Sequence, residues 1–193
     1  HKGEEVLAAQ THEILKNSIP DLLTIIVPRH PERAEQIIKD LENFTLKIDL
    51  RGAEKKLPSA ETDLYICNTL GELGLFYRLC PITLIGRSFS DDGGGGHNPI
   101  EAAQLGCAVM HGPNVQNLQD IFDQMNREQA AILLHNKEDI ALNLKILFDD
   151  PEMLQRYQNN ALSFAKSKDD VIDTVMQHIL MSLDALPTSE KKS

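Results

Sequence analysis

The sequence predicts an α/β fold built on a parallel sheet with helices on its faces. Short apolar runs rich in valine and isoleucine alternate with stretches of helical periodicity, which is the pattern of parallel strands joined by crossover helices. The 193 residues fit one ordinary domain, and a hydrophobic content of 41% supports a substantial core. Polar, glycine-containing segments follow several strand-like runs, at the edge where open parallel sheets bind ligands.

The elements are expected in a regular order. The strands, each a short apolar run bounded by turn-forming residues, are expected at 22–27, 46–50, 63–67, 82–85, 107–110 and 130–134. The helices, each with helical spacing of apolar residues, are expected at 3–17, 31–44, 72–79, 98–105, 116–127 and 137–183. Pro31 suits a first helical position, and Asp150-Pro151 should break the last helix because the residue before proline avoids the α conformation.

The sequence is expected to contain one folded domain followed by a short tail. Residues 1–183 are expected to form one nucleotide-binding domain, and residues 184–193 a disordered polar tail. No strand precedes the first helix, although the first strand of a doubly wound sheet is normally central. We therefore expect the chain to be a piece of a longer protein, with an incomplete sheet unless another segment fills the gap.

The charge balance excludes two classes of partner. A formal net charge of −10 argues against nucleic-acid binding and against attraction of this chain to an anionic membrane surface, since both require basic patches. No apolar run approaches the ~20 residues of a spanning helix, so the chain is expected to be soluble. Cys67, Cys80 and Cys107 lack metal or redox spacing, and are expected to be thiols in a reducing cytosol.

The most informative segment is a glycine loop, residues 91–98, that leads into a helix. Glycine is costly in a core, so Gly93–Gly96 are expected to give an anionic ligand access to free backbone N–H groups. Asn98 suits the N-cap of the following helix, with Glu101 closing a capping box. The chemistry leaves open whether Glu101 caps the helix or binds a ribose diol, and whether His97 donates to a phosphate or is a plain loop residue.

Three further strand ends carry candidate ligand groups. Arg29 and His30 follow the first strand, where the arginine suits a phosphate or carboxylate, although a solvated loop capped by His30 explains the residues equally well. Gly71 and Glu72 follow the third strand, and Glu72 either forms a capping box with the threonine three residues earlier or contacts a ligand. Asn117 follows the fifth strand, where ordinary turn chemistry is the alternative to ligand binding.

Common catalytic and nucleotide motifs are missing from the sequence. There is no GxxxxGK[ST] for a P-loop and no GxGxxG after the first strand, which disfavours kinases, GTPases and dehydrogenases. HExxH, paired metal cysteines and GxSxG are absent as well. The residues alone therefore favour a phosphate-containing ligand without defining a reaction.

Three segments together give the chain a family resemblance. They are Val27-Pro28-Arg29-His30-Pro31-Glu32-Arg33, Asn68-Thr69-Leu70-Gly71-Glu72-Leu73-Gly74 and Gly95-Gly96-His97-Asn98-Pro99-Ile100-Glu101, followed by Gly112-Pro113 and Asn117. In this order and spacing they resemble the carboxy-terminal half of 3-deoxy-D-manno-octulosonic acid (Kdo) transferases, from residue 2 to about residue 180. The resemblance implies a Rossmann-like, donor-binding domain of a GT-B glycosyltransferase.

The resemblance also implies a division of roles. The family transfers Kdo from CMP-Kdo to a lipid A precursor in lipopolysaccharide synthesis, inverting the anomeric centre without a metal ion or other cofactor. By position, the residues expected to bind the donor are Arg29, His30, Gly71, Glu72, Gly95, Gly96, His97, Asn98, Glu101 and Asn117. The general base, the acceptor site and the membrane contact at the cytoplasmic face of the inner membrane of Gram-negative bacteria would belong to the amino-terminal half. The chain alone is expected to be inactive.

The chain departs from the family pattern beside the glycine loop, and two alternative functions stay open. Many family members have Gly-Gly-Ser where this chain has Gly86-Arg87-Ser88, so Arg87 either adds a cation near the phosphate or is a lineage variant. The alternatives are another GT-B enzyme, such as a UDP-sugar transferase or an epimerase, and a non-catalytic nucleotide-binding domain. The Pro-Arg-His and Asn-Thr-x-Gly-Glu segments favour the Kdo transferases over other GT-B enzymes.

Overall fold

A computed structural model describes residues 1–184 of the chain, including the side chains of residues 1–168. The helices are α1 (Glu4–Leu15), α2 (Ala34–Asp40), α3 (Leu73–Leu79), α4 (Ile100–Gln104), α5 (Gln119–Arg127), α6 (Lys137–Asp149) and α7 (Pro151–Asp184). The strands are β1 (Thr24–Ile26), β2 (Ile48–Leu50), β3 (Leu64–Ile66), β4 (Ile82–Leu84), β5 (Ala108–His111) and β6 (Ala131–Leu133). Each predicted helix and strand is confirmed, mostly with tighter bounds, whereas the predicted tail lies outside the described residues except for residue 184.

The strands form two parallel sheets of three strands each, where the sequence predicted one sheet. Their orders are β1-β3-β2 and β4-β5-β6. Among the described strands, β1 pairs only with β3 and β4 only with β5, so each of these two strands has one open edge.

Helix α1 connects the two sheets. At its first turn, the Glu4 carboxylate accepts hydrogen bonds from the backbone N–H groups of Arg87 and Phe89, just beyond β4. At the other end of α1, His12 Nδ1 lies 2.9 Å from the hydroxyl of Thr24 at the start of β1. Lys16 Nζ also lies 2.9 Å from both carboxylate oxygens of Asp63, which precedes β3. The carboxyl end of β4 is thereby fixed relative to the other sheet.

The buried imidazole of His12 makes the stability of this connection depend on pH. Burial lowers the pKa of His12 more than the neighbouring Asp63 raises it, so the folded state favours the neutral ring. The unfolded chain takes up a proton below about pH 6.5 and is favoured as the pH falls. We expect the free energy of unfolding to decrease between pH 7.5 and 5.5, by at most about 1.4 kcal/mol per pH unit from this group.

Urea unfolding of the chain and of His12→Gln across this pH range measures the effect. The variant should show a shallower pH dependence than the unsubstituted chain. Equal slopes in the two proteins would mean that His12 does not titrate on unfolding.

The centres of the two sheets are buried. The central strands β3 and β5 are inaccessible along their whole length, which fits their continuous apolar sequences. Phe122 of α5 and Phe164 of α7 pack in the cluster around β5, while Ile37 and Leu41 pack beside β3. These cores hold the carboxyl ends of the strands as a fixed base for the loops that follow.

Two further local predictions are confirmed. The break between α6 and α7 falls at Asp150, whose backbone is not helical and whose side chain accepts the N–H of Met153 at 2.9 Å. Cys67 and Cys107 are buried free thiols, and burial raises the pKa of each to about 12. Both are therefore protonated at neutral pH.

Candidate functional site

The segment after β4 lies at the centre of the candidate site, and Ser88 fixes its base. The Ser88 hydroxyl is completely buried, donates to the carbonyl of Ile85 at 2.6 Å and accepts the N–H of Gly112 at 2.8 Å. The Ser88 carbonyl accepts the N–H of Asn114, also at 2.8 Å. The segments that follow β4 and β5 consequently form one hydrogen-bonded unit.

Close packing accounts for two of the four glycines in the glycine loop. Gly95 is buried with a φ of +63°, and a Cβ there would lie 2.8 Å from the backbone nitrogen of Asn117. A Cβ on Gly96 would lie 3.0 Å from Cγ1 of Val115. The expectation that packing does not explain these glycines is wrong, because both let the loop pack against the turn after β5. Gly93 alone among the four has open space around its Cα.

Several polar groups of the loop already have partners. The His97 N–H donates to the Gly86 carbonyl at 3.1 Å, and the Asn117 side-chain amide donates to the carbonyl of Gly94. The predicted set of free N–H donors is therefore smaller than the sequence indicated. Asn117 joins the loop to the turn after β5, and its contact with a ligand stays a prediction.

The start of α4 differs from the predicted capping box. The helix begins at Ile100, and its N-cap, Pro99, has no side-chain cap bond. Asn98 Oδ1 accepts the N–H of Ile100 at 3.0 Å, so Asn98 still supplies an acceptor to the first turn. The described hydrogen bonds do not include the reciprocal bond from Glu101 to the backbone of Asn98. Glu101 is exposed, which leaves its carboxylate accessible.

Arg29 and His97 come from different strand ends and lie close enough to interact electrostatically. Burial is the largest influence lowering the pKa of His97, followed by the positive charge of Arg29. The imidazole is thus held neutral beside an exposed guanidinium. His30, the neighbour of Arg29, instead points its ring towards Glu32, with 3.5 Å between Nδ1 and Oε1, and its side chain is 63% exposed.

Glu101 lies next to the segment that follows β3. A Cβ built on Gly74 would be 3.8 Å from Glu101 Oε1, so the carboxylate lies against the start of α3. Burial raises the pKa of Tyr77 to about 12, and the negative charge of Glu101 contributes to this rise. The structure therefore brings the segments that follow β3 and β4 together at Glu101.

The carboxylate of Glu72 is turned away from the glycine loop towards β2. Arg51 binds it with Nε at 2.8 Å and Nη2 at 3.0 Å, Lys55 Nζ lies 3.0 Å from Oε1, and the Thr69 hydroxyl donates to Oε2. These bonds, that from Arg51 foremost, hold the pKa of Glu72 well below its usual range. The predicted capping box is wrong, because Thr69 meets the Glu72 side chain and not its backbone.

Arg51 is the main residue at this edge that sequence reasoning missed. Its side chain is 8% exposed, donates to the hydroxyl of Tyr65 at 3.0 Å and lies over the ring of Phe76. It orients Glu72 and thereby the exposed Gly71, whose φ is +75°. Arg51 follows an apolar strand directly, a position similar to that of Arg29. It was missed because it lies in none of the three segments that carry the family resemblance.

Glu4 and Arg33 are the other residues whose roles the sequence did not reveal. Glu4 holds the backbone of Arg87 and Phe89, and a glutamate in a first helical turn is ordinarily assigned only to the helix dipole. Arg33 lies with Nη1 2.8 Å from Oε1 of the buried Glu5. Both contacts join segments distant in sequence, which local patterns do not record.

Two features are missing from the described residues. No group of three or more His, Cys, Asp or Glu side chains in this part of the chain is placed to hold a metal ion. No helix in the same part combines the length and apolar character needed to cross a membrane.

Comparison with known proteins identifies relatives of this chain. No protein-family model matches the chain. The chain is 33% identical over 181 residues to 3-deoxy-D-manno-octulosonic acid transferase of Rickettsia felis, and 36% identical over 184 residues to the probable mitochondrial enzyme of that name in Arabidopsis thaliana. Each match covers 93% of this chain. Nearly the whole chain is therefore similar to part of the Kdo transferases.

The chain spans about two fifths of the length of these Kdo transferases, 38% and 40% respectively. Among solved structures it is similar to the C-terminal CMP-Kdo binding domain of WaaA from Acinetobacter baumannii, with a TM-score of 0.78 and 28% identity over 85% of this chain and 84% of that one. The fold is therefore that of the C-terminal domain of a GT-B glycosyltransferase. A C-terminal glycosyltransferase domain (LpcC) from Francisella tularensis shares the fold alone, with a TM-score of 0.56 and 16% identity.

Proposed function

We propose that residues 1–183 are the donor-binding domain of an inverting Kdo transferase, which moves Kdo from CMP-Kdo to a lipid A precursor. The observation that carries the proposal is the likeness to a CMP-Kdo binding domain over 84% of that domain. Arg29, His97 and Glu101 also lie around the glycine loop, at the edge where parallel sheets bind nucleotides. The acceptor site, the general base and the contact with the inner membrane then belong to the other half of the enzyme.

The exposed groups define how CMP would be held. Arg29 would bind the phosphate and stabilise the charge that grows on CMP as it leaves, with His97 and Asn98 beside it. Glu101 would accept hydrogen bonds from the ribose hydroxyls, since its carboxylate is exposed. Gly71 would approach the donor from the neighbouring strand end, positioned through Glu72 and Arg51. His30, Gly95, Gly96 and Asn117 complete the proposed donor-binding set.

A binding experiment with a Glu101 variant tests this proposal. CMP should raise the melting temperature of the chain, whereas UMP, UDP and NAD should not. Glu101→Ala should weaken CMP binding by ~1–3 kcal/mol, the worth of one or two hydrogen bonds to a charged group. The exposed position of Glu101 should leave the stability of the unliganded variant unchanged.

The matched control is Glu128→Ala, because Glu128 is an exposed glutamate at the C-terminus of α5. It should bind CMP like the unsubstituted chain. A preference for UDP or NAD would refute the proposed donor. Loss of stability in Glu101→Ala with unchanged CMP affinity would reduce Glu101 to a structural residue.

A further inference from the structure

The backbone conformation of Arg87 is unfavourable for residues other than glycine. Its φ is +65°, in the left-handed region where glycine is unstrained and other residues are not. Glu4 fixes this conformation by accepting the Arg87 N–H at 2.6 Å. Local strain of this kind persists where the surrounding structure enforces it, and it is concentrated at functional sites.

The glycine loop is shaped around the Arg87 side chain. The guanidinium lies so close to Gly94 that a Cβ there would overlap it. Arg87 itself is only partly buried, with 30% of its side chain exposed. The loop therefore holds a cationic group against its own backbone while leaving that group open to solvent.

The Asp92 carboxylate lies beside the Arg87 guanidinium, in the position that an external anion would take. Its carboxylate lies 3.1 Å from Arg87 Nη2 and 3.3 Å from Nε, and it also accepts the backbone N–H of Gly94 at 3.0 Å. Charge-assisted bonds are usually 2.7–2.9 Å long, and an ion pair with both partners about one-third exposed is weak. An external oxyanion would find the same guanidinium and N–H donors in place of Asp92.

Arg87 shares its surroundings with a second cation. The charges of Arg29 and Arg87 both act on His97, whose N–H is bound to the residue just before Arg87. Two guanidinium groups, one after β1 and one after β4, thus act on one imidazole of the glycine loop. A phosphate group, which carries up to two negative charges, suits such a pair better than a single carboxylate does.

We propose that Arg87 is a second ligand of the donor phosphate. Asp92 pairs with the Arg87 guanidinium until a phosphate displaces the Asp92 carboxylate. The inference rests on the proposed function and adds the identity of a phosphate-binding cation to it. Opposite effects follow for the two partners. Removing the Arg87 charge weakens phosphate binding, and removing the Asp92 charge strengthens it.

CMP and cytidine are the probes, because they differ only in the phosphate. Calorimetric titration at low salt should give CMP affinities reduced about 10–100-fold in Arg87→Gln, corresponding to one charge-assisted hydrogen bond. Asp92→Asn should bind CMP more tightly than the unsubstituted chain does. Cytidine affinity should change less than about twofold in either variant, and Arg78→Gln, an exposed arginine of α3, should match the unsubstituted chain with both probes.

The outcomes separate the two proposals. An unchanged ratio of CMP to cytidine affinity in Arg87→Gln, or weaker CMP binding in Asp92→Asn, would overturn the role of Arg87 while leaving the proposed function intact. If the chain binds neither nucleotide, the proposed function fails, and inorganic phosphate becomes the probe. A shift of the Arg87 Nε resonance on phosphate titration would then retain the anion site, and its absence would overturn that site as well.

Discussion

Replacing Glu4 by alanine should destabilise the chain by ~2–4 kcal/mol and weaken CMP binding at the same time. The Glu4 carboxylate, with 10% of its side chain exposed, accepts two backbone N–H groups, at 2.6 Å from Arg87 and 3.0 Å from Phe89. A hydrogen bond to a charged group contributes about 1.5–3 kcal/mol, and both donors would lose this acceptor. The start of the glycine loop would also lose the contact that fixes its position.

Urea unfolding and CMP titration measure the two parts of this effect. Glu4→Gln retains an acceptor oxygen and should lie between the unsubstituted chain and Glu4→Ala in both measurements. Glu13→Ala changes an exposed glutamate of the same helix and should be nearly neutral. Full CMP affinity in a destabilised Glu4→Ala variant would show that Glu4 stabilises the fold without positioning the loop.

Replacing Gly112 by alanine should destabilise the chain by about 3 kcal/mol or more, which lowers the melting temperature by roughly 6–12 °C. The added Cβ would overlap the carbonyl of Ser88 and lie 2.7 Å from the ring of Phe89. The Ser88 carbonyl has little freedom to move, because it accepts the N–H of Asn114 and its own side chain is buried and bonded. Relief of the overlap therefore requires the segments after β4 and β5 to separate.

Gly74→Ala provides a control with the opposite sign. Gly74 lies inside α3, and a Cβ there would meet only Leu105 at 3.6 Å and Glu101 at 3.8 Å, which are ordinary contact distances. Alanine should stabilise α3 by about 0.5–1 kcal/mol relative to glycine. Thermal unfolding of the two variants tests both statements, and a neutral Gly112→Ala would mean that the two segments are more loosely joined than the hydrogen bonds indicate.

The positions of helices and strands were largely determined by local sequence. Apolar periodicity located every element, and Asp150-Pro151 located the break in the last helix, because proline restricts the residue before it regardless of tertiary context. The division into two sheets was harder to predict, since strand pairing depends on contacts between strands that are distant in the sequence. The sequence therefore predicted one sheet, where the structure has two.

The candidate site was predicted in outline and not in its contacts. Short segments identified Arg29, the glycine loop and Glu101 after the strands β1 and β4, because open parallel sheets bind ligands beyond the carboxyl ends of their strands. The partner of Glu72 was not predictable, since Arg51 lies 21 residues away and meets it only after β2 and β3 pair. The same reasoning applies to Gly95 and Gly96, whose packing partners come from the turn after β5.

Helix α1 has a consequence for how the chain loses its structure. Val6 and Ala9 pack with the cluster beside β3, whereas Leu7, one residue from Val6, packs with the cluster around β5 and α6. Two sheets with separate apolar clusters would ordinarily open as independent cooperative units. Because residues of one helix belong to both clusters, we expect α1 to couple the unfolding of the two halves, together with Tyr77 of α3, which packs against the cluster around β5.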